Sequence, residues 1–159
     1  MEIDCRHHHR ECGDLDDPQV TLESRVLLRL EIMDQEGLEL KPYKDPVGKL
    51  SIGYGRNLDD VGISKLEAEV LLDHDLASAE MECRKAFPWF PALSDVRQRV
   101  LVNMCFNLGL TKLKTFERML SALSQHDYAL ASREMLQSKW AEQVKGRALR
   151  LAKMMRDGR

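Results

Sequence analysis

The sequence predicts an α+β domain, mainly helical, with one small sheet near its N-terminal third. Three observations lead there. Capped segments with apolar residues at helical spacing recur from Thr21 to the C-terminus; one Pro- and Gly-rich stretch with period-2 alternation interrupts them; and 159 residues are enough for a single domain, in two lobes, with a core of its own. A hydrophobic content of 43% with 31% charged residues is globular composition. The longest apolar runs fall far short of the roughly 20 residues a membrane span needs, so a soluble chain is expected.

Residues 1–20 lack apolar periodicity and read as a polar tail outside the domain. The run TLESRVLLRLEIMDQEG then starts a helix. Thr21 is a favoured N-cap type, Glu23 suits the positive end of the helix dipole, and Val26, Leu27, Leu30 and Met33 recur on one face. Gly37 supplies the stop, so the helix ends at about Glu36. From 38 to 63 the character changes. Pro42, Pro46, Gly48, Gly53 and Gly55 cluster there, and Leu50, Ile52 and Tyr54 alternate after the DPVG turn, which predicts a hairpin lobe.

Ser64 opens a complete capping box, SKLE, and with it a long helix through LEAEVLLDHDLASAEMECRKAF. Ser94 to Leu108 has a dense apolar face of Val96, Val100, Leu101, Met104 and Leu108, as expected of the central buried helix, and Gly109 ends it. Phe116 to Leu123, Tyr128 to Lys139 and Gly146 to Met155 predict further short helices. Trp89 and Phe90, bracketed by Pro88 and Pro91, read as apolar anchors of an interhelix turn, and Trp140 reads as core.

The formal charge of -2 argues against a nucleic-acid partner, although its sign is uneven. The first twenty residues carry six acids against Arg6 and Arg10, whereas 139–159 carry seven bases against Glu142 and Asp157. That basic end is either a solvated helix face or a surface that attracts an anionic polymer. The N-terminus has no basic stretch followed by an apolar one, so neither an export signal nor a signal anchor is expected. The four cysteines are then expected as reduced thiols. Cys5, His7, His8, His9 and Cys12 are zinc-ligand types, but their spacing is not that of a finger, and a polar tail is the preferred reading.

The stretch EGLELKPYKDPVGKLSIGYGRN holds the candidate chemistry. Cleaving a glycosidic bond needs one carboxylic acid to protonate the leaving oxygen and a second carboxylate to direct water or attack the sugar carbon. Glu36 is expected at a helix C-terminus, where the dipole disfavours the charged form, and Asp45 in a solvated turn where it stays ionised. Ser51, on the following strand, can orient a water beside Asp45. Helix-terminal acids and turn aspartates are common, so spacing alone leaves ordinary solvated carboxylates and an active site both open.

The same run resembles the signature of phage-type lysozymes, glycoside hydrolase family 24: a Glu, an Asp nine residues on, a Thr six further, then I-G-x-G. Here these are Glu36, Asp45 and Ser51, followed by Ile52, Gly53, Tyr54 and Gly55. VRQRVLVNMCFNLG resembles the family's central helix, and SKW with GRALR its closing helices, so the likeness runs from about Leu22 to Arg159. It implies a two-lobed lysozyme-like fold, with a small β lobe at about 38–63 and a larger helical lobe formed by 64–159 plus the helix 21–36.

The resemblance further implies Glu36 as general acid, Asp45 as partner carboxylate and Ser51 as the assisting hydroxyl. Gly55, Asn57, Phe106 and Asn107 would bind substrate, and Arg147 would support Glu36. The implied reaction is hydrolysis of the β-1,4 bond between N-acetylmuramic acid and N-acetylglucosamine in bacterial peptidoglycan, with inversion and with no metal or organic cofactor. A monomer is expected, with no nucleic-acid partner and no membrane insertion. As an endolysin it would wait in the host cytoplasm for holin-dependent release and then act on peptidoglycan in the periplasm. The alternatives are a bacteriocin or secreted effector with the same activity, and an inactive peptidoglycan-binding or virion structural protein.

Four positions depart from the family's usual spelling. Ser51 replaces Thr and loses the methyl that stiffens the rotamer; Arg56 replaces a frequent His; Met119 and Glu134 stand where sugar-contacting Ser and Asn are expected.

Overall fold

The computed structural model describes residues 20–159, which form two compact units, one ending at Ile63 and the other spanning Ser64–Arg159. The tail with Cys5, His7, His8, His9 and Cys12 lies outside the described residues.

In the first unit, helix α1 (Leu22–Glu36) begins where the sequence places it, with the Ser24 N–H donating to Thr21 Oγ1 at 3.2 Å. It stops at Gly37, whose φ of +68° lies in the left-handed region where a β-carbon is disfavoured. Three short antiparallel strands follow in the order β1 (Glu39–Lys44), β2 (Leu50–Gly53) and β3 (Arg56–Asn57). Tyr43 faces Ser51 and Lys44 faces Leu50; the register shifts between Glu39 and Tyr43, a span that contains Pro42, which has no N–H to give the ladder. On the other edge Ser51 faces Asn57 and Ile52 faces Arg56. Val26, Leu27 and Leu30 of α1 are exposed, so the apolar face read from the sequence is not buried.

The second unit is helical. Helix α2 (Lys65–Ala86) carries the full capping box: the Ser64 N–H donates to Glu67 Oε2 at 2.7 Å and the Glu67 N–H to Ser64 Oγ at 3.2 Å. Its N-terminal half keeps Leu66, Val70 and Leu71 exposed within the unit, and burial begins at Ala79 and Cys83. A 3₁₀ turn (Phe90–Ala92) leads to α3 (Asp95–Leu108); Phe90 is fully buried and Trp89 stacks on Phe87 at 5.1 Å, so this pair does anchor the turn.

Helices α4 (Leu110–Leu113), α5 (Glu117–Ser124), α6 (Tyr128–Leu136), α7 (Lys139–Val144) and α8 (Gly146–Asp157) complete the unit. Two of them correct the expected boundaries. Helix α4 is a single turn, too short for a periodic signal. The helix expected from Tyr128 to Lys139 ends at Leu136, because Ser138 starts a new one: its hydroxyl accepts from the Ala141 N–H at 3.2 Å and donates to the Met135 carbonyl at 2.6 Å.

Val100, Leu101, Met104, Leu113, Met119, Leu123, Met135 and Met155 are fully buried and form the core around α3. Four methionines in that set suit an interior of short helices at varied angles, since the unbranched thioether fills irregular gaps. Arg97 ties α3 to the end of α8, donating to the carbonyls of Met155 at 2.8 Å and Arg156 at 3.2 Å while its guanidinium lies 3.5 Å over the Tyr128 ring. It thereby satisfies carbonyls that a helix end leaves without partners.

Cys83 and Cys105 are free, buried and adjacent across α2 and α3. Burial first, and then the neighbouring Cys105, pushes the Cys83 thiol well up; burial likewise raises Cys105. Since the thiolate is the reactive species, a Cys5→Ser, Cys12→Ser chain should give almost no reaction with an aromatic disulfide reagent at pH 8 and two thiols per chain in strong denaturant. Rapid native labelling would contradict this packing.

Candidate active site

Five of the eight residues singled out from the sequence, Glu36, Asp45, Ser51, Gly55 and Asn57, fall in the first unit, on α1, the sheet and its turns. Glu36 is the last residue of α1, and the glycine after it frees the chain to turn away. Its carboxylate lies against the turn between β2 and β3. The position a β-carbon would take at Gly55 is 3.2 Å from Glu36 Oε2, and Gly55 has φ +75°.

Gly55→Ala therefore meets two penalties at once, left-handed backbone costing about 1–2 kcal/mol and displacement of the Glu36 carboxylate. It should lower hydrolysis more than its loss of stability explains. Turnover measured on fully folded protein, beside a urea melt, checks this.

Asp45 closes the hairpin. Its main-chain N–H donates to the Lys49 carbonyl at 2.9 Å, and its Oδ1 accepts from the N–H groups of Val47 at 3.0 Å and Lys49 at 2.8 Å. This is the aspartate turn that DPVG favours, in which a short carboxylate substitutes for main-chain acceptors. Ser51 lies directly opposite Tyr43 and so shares its face of the sheet, while Asp45 follows the strand in the turn. Asn57, opposite Ser51 on β3, joins that face.

Ser51 is only 2% exposed, one of the few buried polar side chains among the described residues. Asn57 is held by its own loop: its Nδ2 donates to Asp60 Oδ2 at 2.9 Å, and its Oδ1 accepts from the Asp60 N–H at 2.9 Å. Arg56, in place of the frequent His, donates from Nη1 to the Gly62 carbonyl at 3.3 Å and so fastens the far end of the same loop.

In the second unit, Phe106 is 43% exposed at the end of α3, and Asn107 beside it accepts from Trp140 Nε1 at 2.8 Å. Trp140, read as core, is buried, and it lines a cavity of about 740 Å³ with Phe116, Glu134 and Lys139. Met119 also lines this cavity but is 1% exposed, and Glu134 is paired with Arg118 at 3.0 Å. The Ser-to-Met and Asn-to-Glu departures thus put an apolar side chain in the wall and a paired charge beside it. Arg147 donates from Nε and Nη2 to Asn103 Oδ1 at 3.0 and 2.8 Å. Of the other bases in 139–159, Lys153 and Arg156 pair with Asp157. Among the described residues no cluster of three or more metal-ligating side chains occurs, and no helix is long and apolar enough to cross a membrane.

Several residues that shape the site were not evident from sequence. Lys49, Asp59 and Asp60 brace the hairpin, and Asn103 holds Arg147. A local signal existed for two of them: NLDD, Asn57 to Asp60, has the spacing of an Asn-initiated turn.

A helix ending on a glutamate, a small antiparallel sheet with an aspartate in its first turn and a serine on its second strand, and a helical unit built on a buried central helix define a class. This chain belongs to the phage lysozyme family, whose profile matches residues 33–156. Among its relatives, the pre-baseplate central spike protein Gp5 of Enterobacteria phage T4 is 30% identical over 77% of this chain. The chain spans 26% of that protein's length. The probable T4-type lysozyme 1 of Dictyostelium discoideum is 26% identical, with 77% of this chain and 89% of the relative covered. An endolysin of Acyrthosiphon pisum secondary endosymbiont phage 1 is 32% identical, with 67% and 72% covered.

Proposed function

We propose that this chain is a peptidoglycan hydrolase, an N-acetylmuramidase that cleaves the β-1,4 bond between N-acetylmuramic acid and N-acetylglucosamine, and that it serves as a phage endolysin. The observation that carries the reading is the gathering of Glu36, Gly55, Asp45 and Ser51 in one unit. Glu36, as the acid, protonates the glycosidic oxygen while the bond to the anomeric carbon breaks. Asp45, with the Ser51 hydroxyl, directs a water to the opposite face of the ring and takes its proton. The product has a new hydroxyl at the anomeric carbon, inverted in configuration. Phe106 and Asn107 contact the glycan, and Arg147 has a supporting role.

Digestion of purified peptidoglycan followed by borohydride reduction tests the bond assignment. Reduced muramic acid at the new ends is the expected result; reduced glucosamine, or release of free amines by peptide cleavage, would overturn it. For the biological role, expression in a Gram-negative host with and without a holin should give lysis only with the holin. The similarity to the T4 spike protein favours a second reading, in which the same activity is carried on a virion. Detection of the chain in purified particles, together with its dispensability for lysis, would select that reading.

A further inference from the structure

The Asp45 turn and the Ser51 strand are braced from one short segment beyond β3, for which the proposed reaction has so far no use. Strand β3 ends at Asn57, yet the ladder continues without it. The Leu58 N–H donates to the Leu50 carbonyl at 2.7 Å, and the Leu50 N–H donates to Asp59 Oδ2 at 2.8 Å. A side-chain carboxylate thus stands where the next strand carbonyl would be, and both main-chain groups of the residue before Ser51 are held. The next residue reaches the other end of the hairpin. Asp60 Oδ1 accepts from Lys49 Nζ at 2.8 Å, and the Lys49 N–H is itself a donor to Asp45 Oδ1. Asp60 Oδ2 accepts from Asn57 Nδ2, and Asn57 faces Ser51 across the sheet.

From this we infer that Asp59 and Asp60 are positioning residues for the hydrolysis: Asp59 fixes the strand that carries Ser51, and Asp60, through Lys49 and Asn57, fixes the turn that carries Asp45. The inference rests on the proposed roles of Asp45 and Ser51. The parts differ in strength. The ion pair of Lys49 with Asp60 is 45% and 55% exposed, so it is screened and adds little to stability. The bond from Asp59 to a strand amide is charge-assisted and has no substitute in the ladder, so its loss frees Leu50 to move. The contribution is to preorganisation: small errors in the placement of a water-directing pair cost rate far more than they cost folding.

The test compares Asp59→Ala, Asp59→Asn and Asp60→Ala with the parent on soluble peptidoglycan fragments, each with a urea melt. Asp59→Ala should lower kcat roughly tenfold with KM nearly unchanged, and Asp59→Asn, which keeps an acceptor for the Leu50 amide, should recover most of it. Asp60→Ala, at an exposed site that tolerates truncation, should lower kcat by a smaller factor, which keeps the comparison open if Asp59→Ala fails to fold. Undiminished kcat in both alanine chains, or a loss that follows the melting midpoint and is not restored by Asn, would overturn the positioning role while leaving the hydrolase reading intact. An inactive parent chain would instead sink that reading and this inference with it.

Discussion

Glu36→Gln should fold as the parent does and lose peptidoglycan hydrolysis by on the order of 10³-fold. Glutamine has nearly the same shape as the acid, so α1 still ends at Gly37 and the side chain still rests against Gly55. What disappears is the transferable proton. A glycosidic oxygen leaves slowly as an alkoxide, and general acid catalysis of its departure typically contributes about 10²–10⁴-fold. Clearing of permeabilised Gram-negative cells and dye release from labelled peptidoglycan both measure it. Glu36→Gln activity above a tenth of the parent's would remove Glu36 from the role of acid; binding to the wall by both chains with clearing by neither would favour a binding protein over an enzyme.

Leu101→Ala should be strongly destabilising, costing about 3 kcal/mol of unfolding free energy in the second unit. Leu101 is fully buried in α3, among Met104, Val100 and the other core side chains, and its carbonyl lies 4.0 Å from the Cys83 sulfur of α2. Removing its branched end costs the transfer free energy of the lost methyls and leaves a cavity that helices on several sides cannot all close. The methionines around it are pliant enough to lower that cost somewhat. A urea melt followed by tryptophan emission reads the effect, since Trp89 and Trp140 both lie in this unit. A fall in midpoint with an unchanged slope is expected; a loss below about 1 kcal/mol would mean that α3 is not the centre of the core.

Much of the molecule was legible because the forces that set it are local. Thr21 and Ser64 announce helix starts through bonds to amides three residues away, and Gly37 and Gly109 announce stops through backbone angles that other residues resist. Glu36, Asp45 and Ser51 are named on a resemblance, because a helix end, a turn and a strand in sequence order suit ordinary solvated side chains just as well. The errors came where local signals compete or vanish. The helix expected through Ser138 breaks because serine is acceptable inside a helix and better at its start, and only the Ala141 amide shows which was chosen.

Sequence alone determined the fold class and the order of the main elements, since capping, periodicity and turn formation act over a few residues. Tertiary structure alone decided that Ser51 is buried, that Asn107 holds Trp140 and Asn103 holds Arg147, and that Asp59 and Asp60 reach back to brace Leu50 and Lys49. Each of these depends on which groups meet when distant segments pack. A polar side chain gives no sign of its partner until burial makes an unpaired donor or acceptor too costly to leave.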